Sequence, residues 1–174
     1  DDDFISGNGT AGLEILEDVP DVDAVVAPMG GGGLLAGIGC VMRARSPHTR
    51  VYAAEPETAA PLAASFAAGA PVHFDEWRAS FVDGAGGRSV LPSMWPLMRE
   101  FVDESIVVTL DEAAEAMALT ARRCHVIAEG AAACAIAAAR RLAATREHRA
   151  IVAVVSGGNI DLSRFASLVG ACPS

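Results

Sequence analysis

A short apolar run, Asp23-Ala-Val-Val-Ala-Pro28, leads through Met29 into four consecutive glycines, Gly30 to Gly33, and then into a helix-like stretch from Leu34 to Arg45. Four residues without side chains between a strand and a helix leave few options. The loop turns tightly, and its backbone N–H groups converge beside a helix N-terminus, where an anion is favoured. Glycines that merely let strand and helix approach closely are the plainer alternative, but four in a row add a large entropic cost for that purpose. The feature predicts a strand–loop–helix unit that holds a phosphate.

The pattern repeats along the chain. Arg50-Val-Tyr-Ala-Ala-Glu55 reads as a second strand, stopped by Pro56 and followed by a small-residue helix from Thr58 to Ala68 that ends at Gly69. Residues 70–92 are irregular, with Pro71, Trp77, Gly84, Gly86, Gly87 and Pro92, and a loop of that length usually carries function or moves. A helix over Trp95–Val102 comes next. The strand Ser105–Thr109 then opens a Thr109-x-x-Glu112 capping box for a helix to about Cys124. The alanine-rich stretch from Glu129 to Ala144 predicts another helix, Ala150–Val155 a strand buried on both faces, and Asp161 the start of a final short helix. Such alternation predicts an α/β protein with an open, mainly parallel sheet, helices on both faces and ligands at the carboxyl ends of the strands. With no solenoid repeat and no linker composition, residues 1–174 read as a single α/β domain.

Composition removes several function classes. A hydrophobic content of 52% supplies a real core and argues against disorder. The formal charge of -9, with no basic block anywhere, lacks the electrostatic footprint of a nucleic-acid binder. The longest low-charge run, Gly130 to Ala139, is far too short to cross a membrane. Cys40, Cys124, Cys134 and Cys172 form no CxxC pair and read as buried, reduced thiols of a cytoplasmic protein. His48, His73, His125 and His148 follow no zinc spacing and read as surface or structural. The chain opens on Asp1-Asp2-Asp3 without an initiator methionine, so a preceding segment is expected. One absence bears directly on chemistry: all 13 basic residues are arginines, and there is no lysine.

The glycine loop admits two nucleotide readings. A P-loop needs a Lys-Ser/Thr pair after its glycines, whereas Leu34 and Leu35 stand there, so ATP or GTP hydrolysis is not expected. A dinucleotide fingerprint fits slightly better: Gly31-x-Gly33 supplies a GxG, Ala36 stands where the third glycine belongs, and Glu55 offers an acidic ribose partner. At the end of the last strand, Ser156-Gly157-Gly158-Asn159 forms a second polar, glycine-rich turn expected on the same sheet edge, so the two loops point to one shared ligand. The alternative is a tight connection in which Asn159 or Asp161 caps the next helix.

Taken together, Ala27-Pro-Met-Gly-Gly-Gly-Gly-Leu-Leu-Ala-Gly37 and Val155-Ser-Gly-Gly-Asn-Ile-Asp161 resemble the threonine/serine dehydratase and serine racemase family of fold-type II pyridoxal-phosphate enzymes. Gly7-Asn-Gly-Thr-Ala-Gly-Leu-Glu14, Ala54-Glu-Pro-Glu57, Phe81-Val-Asp-Gly84 and Glu129-Gly-Ala131 fall in the family's order, so the likeness covers nearly the whole chain and corresponds to the family's C-terminal half. It implies the large-domain part of a tryptophan-synthase-β-like fold and pyridoxal 5'-phosphate as cofactor. By the same resemblance, backbone N–H groups of Gly30, Gly31, Gly32 and Gly33, with Leu34, hold the cofactor phosphate, and the Ser156 hydroxyl meets the pyridine nitrogen. A hydroxyl cannot keep that nitrogen protonated, which makes the ring a weaker electron sink, suited to β-elimination or racemisation rather than transamination. Asp83 and Gly84 map to a loop that closes near the cofactor, and Glu129 and Asn159 to its vicinity. The plainer readings are that Glu129 complements the dipole of the alanine-rich helix and that Asn159 caps.

Further implications concern what is missing. Some relatives hold a divalent cation with the glutamate of the Glu-Pro segment and an acid a few residues later; Glu55 matches the first, but Pro61 stands near the second, so no metal is expected. In the family, the lysine that forms the Schiff base and the loop that grips the substrate carboxylate lie in the N-terminal half. Arginine cannot replace that lysine, because its guanidinium stays protonated and offers no nucleophilic amine. The resemblance therefore implies a complete enzyme that deaminates L-threonine or L-serine to a 2-oxo acid and ammonia, with this chain inactive alone. An amino-acid racemase and a non-catalytic phosphate- or nucleotide-binding module are the alternatives. The partners implied are a small amino-acid substrate, the missing N-terminal half or a complementing chain, and a second copy in a homodimer. With only a short tail after Ser156, no C-terminal regulatory domain is expected.

Overall fold

The computed structural model describes residues 1–172. Four parallel strands, β1 (Ala24–Pro28), β2 (Arg50–Pro56), β3 (Glu104–Val108) and β4 (Ile151–Ala153), lie in the order β3-β2-β1-β4. Around them, among the described residues, run seven helices: α1 (Asp2–Asp18), α2 (Gly33–Arg45), α3 (Pro61–Ala68), α4 (Trp95–Phe101), α5 (Leu110–Cys124), α6 (Gly130–Thr145) and α7 (Leu162–Gly170). Alternate residues of the strands point to opposite faces. Val25, Ala27, Val51 and Ala53 share a core with Leu35, Ile38, Met42, Leu62 and Met98 from α2, α3 and α4. Ala24, Val26, Tyr52 and Ala54 share the other core with residues of α5 and α6 such as Met117 and Cys134, and Phe165 of α7 packs against its margin. The sheet is thus covered on both faces, as the alternation of elements predicts. After β3 the chain crosses back over β2 and β1, so the strand order reverses between β1 and β4, which is where such sheets leave a crevice at their carboxyl edge.

Three elements differ from the sequence reading. The first is α1, a helix of 17 residues that the sequence reading does not contain, because Gly7, Gly9 and Gly12 depress local helix propensity. Packing overrides propensity here: a Cβ on Gly37 would lie 2.5 Å from the Ile5 carbonyl oxygen and 2.7 Å from the Gly9 nitrogen, so α1 and α2 touch backbone to backbone. We expect Gly37→Ala to push the two helices apart and cost about 1–3 kcal/mol, the usual range for overpacking a core. Urea denaturation checks this; an unchanged midpoint would mean that the crossing is not close.

The second is β4, an edge strand only half-buried along Ile151–Ala153, rather than a strand enclosed on both faces. Its pairing with β1 nevertheless reaches past the strand, since Ala150 O accepts from Asp23 N–H at 2.9 Å and Val154 N–H donates to Val26 O at 2.9 Å. The third is α3, which starts at Pro61 rather than Thr58. Its cap is remote: the Glu55 carboxylate, wholly buried on β2, accepts from Leu62 N–H and Ala63 N–H, both at 2.8 Å, and from the Ser105 hydroxyl at 2.6 Å. Glu55 is therefore engaged inside the fold and is not free to meet a ribose.

The Thr109 capping box forms as read, with Glu112 N–H donating to Thr109 Oγ1 at 3.1 Å and Thr109 N–H donating to Glu112 Oε2 at 2.7 Å. Burial alone would raise the Glu112 carboxyl, but the Arg141 guanidinium and the Thr109 groups outweigh it and hold the carboxyl below its usual value. The thiols correct the sequence reading: Cys134 is buried and its pKa is pushed up to about 12 by burial, but Cys40 and Cys124 are exposed and Cys172 is half-buried. Among the described residues, no helix is long and apolar enough to cross a membrane, and no cluster of His, Cys, Asp or Glu is arranged to hold a metal ion.

Candidate functional site

At the switch point, the loop after β1 and the loop after β4 border one cleft of about 400 Å³. Gly30, Gly31, Gly32, Gly33, Leu34, Gly84, Glu129 and Ser156 all line it. Asp83 and Asn159 do not. Asp83 borders a separate hollow of about 140 Å³ with Trp77 and Ser80, and Asn159 contributes its backbone N–H to Glu129 Oε2 at 2.8 Å. The sequence reading misses two walls. One is the first turns of α1, through Phe4, Ile5 and Asn8; the other is the turn before α4, through Leu91, Ser93 and Met94. Gly9 lies against Gly37, and Gly12 against Ile38 and Val41, which anchors α1 beside this cleft.

The four glycines have different reasons. A Cβ on Gly30 would stand 2.7 Å from the Gly84 carbonyl oxygen, and one on Gly33 would stand 2.6 Å from Phe4 Cε1. Gly32 is the N-cap of α2 and has φ 88°, a left-handed conformation that suits glycine. Gly31 has no such reason: its φ is not in the left-handed region, and a Cβ there would meet nothing within 4 Å. Gly31 is itself part of the cleft lining. The first rung of α2 is Ala36 N–H to Gly32 O at 2.9 Å, so the N–H groups of Gly33, Leu34 and Leu35 precede the helical ladder and are free to meet an anion. Such donors suit a phosphate group in sign and type.

Glu129 organises the other side. It occupies the N-cap position of α6 without a side-chain cap bond, and its carboxylate turns instead toward the second loop. Its own N–H donates to the Gly157 carbonyl at 3.1 Å, and a Cβ on Gly157 would stand 2.6 Å from Glu129 Oε1. Gly84 presses on the same carboxylate, since its Cβ would stand 3.2 Å from Oε1. Glu129 thus bridges three loops around the cleft. The cap of α7 is Asp161, not Asn159. Ser156, exposed at the start of the second loop, lines the same cleft as the four glycines of the first.

A doubly wound parallel sheet with a phosphate cradle and a facing serine loop at its switch point defines a class of α/β proteins that bind phosphorylated cofactors. Comparison with known proteins narrows the class. A profile of pyridoxal-phosphate dependent enzymes matches residues 1–157, and the chain belongs to that family. It is 38% identical over 168 residues to the catabolic L-threonine dehydratase TdcB of Escherichia coli, covering 95% of this chain and 51% of that one. To serine racemase of Oryza sativa it is 37% identical over 164 residues, covering 91% and 48%. The structure of maize serine racemase superposes with a TM-score of 0.85 at 34% identity, covering 94% of this chain and 52% of that one. The chain spans about half the length of the curated relatives it matches. The fold is that of the fold-type II pyridoxal-phosphate enzymes.

Proposed function

We propose that this chain is the cofactor-holding part of an ammonia-lyase that deaminates L-threonine or L-serine to a 2-oxo acid and ammonia. The observation that supports it best is the open space over Gly31, in a cleft shared with Ser156. Bound pyridoxal phosphate would supply an electron-withdrawing ring conjugated with the substrate α-carbon. The chain's own residues bind and orient that group. N–H groups of Gly30, Gly31, Gly32, Gly33 and Leu34 hold the phosphate, and Ser156 Oγ meets the pyridine nitrogen without fixing a proton on it. Gly84 and Glu129 border the cofactor, with Asp83 and Asn159 behind them. Glu129 fixes the Ser156 loop by accepting the Asn159 N–H at 2.8 Å.

No lysine stands in this chain, and arginine offers no nucleophilic amine. The amine that holds the cofactor and moves the α-proton comes from another segment, either the preceding half of one long protein or a complementing chain, in a homodimer in the cytoplasm. Residues 1–174 then form a single domain of the whole. A racemase of the same family is the second reading, favoured by nearly equal identity to the rice serine racemase and the bacterial dehydratase. The dinucleotide alternative is disfavoured by the burial of Glu55. The test is direct. With L-threonine or L-serine, the complete protein is expected to release a 2-oxo acid and ammonia, and this chain alone none. Conversion of L-serine to its enantiomer without keto acid would favour the racemase, and tight NAD binding without pyridoxal-phosphate affinity would sink both.

A further inference from the structure

The irregular segment between α3 and α4 has no helix or strand ladder, yet its position is set tightly. Its neck is closed by Phe74 N–H donating to Arg88 O at 2.8 Å and by the antiparallel bridge between His73 and Ser89. Outside contacts anchor one limb: Arg78 N–H donates to Thr58 O at 2.9 Å, and Thr58 Oγ1 donates to Ser80 Oγ at 3.3 Å. Across the middle runs a single side-chain brace. The Trp77 indole Nε1–H donates to the Gly86 carbonyl at 2.7 Å, and the Arg88 guanidinium lies 3.8 Å from the indole centroid. A cation held over the ring face is attracted to it, and here it also covers the indole from one side.

The brace leads to the cleft. Gly86 backs onto the peptide of residues 82 and 83, for a Cβ on it would stand 3.1 Å from Val82 O and 3.4 Å from Asp83 O. The next residue along, Gly84, places its carbonyl oxygen where a Gly30 Cβ would be, 2.7 Å away. Gly84, Gly86 and Gly87 give this limb unusual backbone freedom. Buried Val82 and Ala85 anchor it from below, and the Trp77 indole holds it from the side.

We infer that Trp77, covered by Arg88, is a positioning residue that sets the Gly84 edge of the cleft against the glycine loop. The inference rests on the reading of the cleft as a pyridoxal-phosphate site. It gives the 70–92 loop a part in the site through a side chain that lines a different hollow. Trp77 touches neither cradle nor ligand, and acts only by holding Gly86.

The probe is pyridoxine 5'-phosphate, which has the cofactor's phosphate and ring but no aldehyde, titrated calorimetrically into the full chain. Trp77→Phe keeps the ring under Arg88 and removes the N–H donor. It is expected to weaken binding about ten-fold and to speed hydrogen exchange at residues 82–86, while exchange in β1 and β2 stays as in the parent. Arg88→Lys keeps a cation over the ring and is expected to retain most of the affinity, whereas Arg88→Ala is expected to behave like Trp77→Phe. A purely structural role predicts a lower melting temperature with parental affinity, and that result overturns the inference. If the parent chain binds no pyridoxine 5'-phosphate, the cofactor reading fails instead. Exchange at residues 82–86 then decides the brace alone: faster in Trp77→Phe supports it, and unchanged overturns it.

Discussion

Gly31→Leu is expected to abolish tight pyridoxal-phosphate binding, with a loss of a hundred-fold or more in affinity, while the melting temperature of the ligand-free protein stays close to the parent's. Both halves follow from the same geometry. A Cβ on Gly31 meets nothing within 4 Å and the backbone there is not left-handed, so a side chain enters without strain. Under the proposed function, that side chain takes the space the phosphate would need. Charged hydrogen bonds contribute roughly 1.5–3 kcal/mol each, so losing two of them corresponds to about a hundred-fold or more in affinity. Gly31→Ala, with a single added carbon, is expected to cost about ten-fold. The control is Gly30→Ala, where the added Cβ would meet the Gly84 carbonyl at 2.7 Å; that variant loses stability as well as affinity. Calorimetric titration with pyridoxal phosphate, paired with thermal melts, separates the two cases. A Gly31→Leu chain that binds as the parent does would show that the ligand lies elsewhere.

Glu55→Ala is expected to lower stability by roughly 3 kcal/mol or more, because it leaves the Leu62 and Ala63 N–H groups and the Ser105 hydroxyl without their acceptor in a buried place. For a domain of this size that corresponds to a fall in melting temperature of about 6–12 °C. The pH dependence has a definite sign. Burial raises the Glu55 carboxyl above its usual 4.5, and the bonds from Ser105, Leu62 and Ala63 lower it without cancelling the effect. The folded state therefore binds the proton more tightly than the unfolded chain. Glu55's contribution is complete below about pH 4.5 and declines as pH rises through the raised value. Chemical denaturation of the parent and Glu55→Gln as a function of pH checks this: the parent's stability relative to the variant should fall with rising pH above 4.5. The opposite slope would show that the three donors outweigh burial.

Much of this fold is written in local signals. The apolar run before the glycines, the Thr109 to Glu112 spacing and the alanine-rich stretch each fix an element from its own residues, and each forms where it is read. What escapes is non-local. Gly7, Gly9 and Gly12 argue against a helix until α2 is brought alongside, with Gly37 against Gly9 and Ile38 and Val41 against Gly12, and no pattern within α1 announces that contact. The apolar composition of Ile151–Ala153 says that the strand is made for burial, but its place at the sheet edge depends on strand order. Glu55 reads equally as a ribose partner or a cation ligand, because the groups that claim it come from α3 and β3. The candidate site divides in the same way: both glycine loops and Glu129 are legible as motifs, whereas Phe4, Leu91, Ser93 and Met94 reach the cleft only through the packing of α1 and α4.

The reversal of strand order between β1 and β4 also governs when the cleft can come into being. Its first loop belongs to the strand at Ala24 and its second to the strand that pairs with it at Ile151, so the cleft is closed by a contact between distant parts of the chain. On a ribosome the glycine loop emerges well before Ser156 and must wait for the whole segment between them. Long-range closures of this kind are slow, since chain entropy is lost before the contact rewards it. A folding transition state in which β4 has not docked offers a ligand only half a grip. A cofactor held by both loops, as proposed above, would then act on lifetime rather than speed: it would slow the native protein's escape to the unfolded chain and do little to hasten its formation.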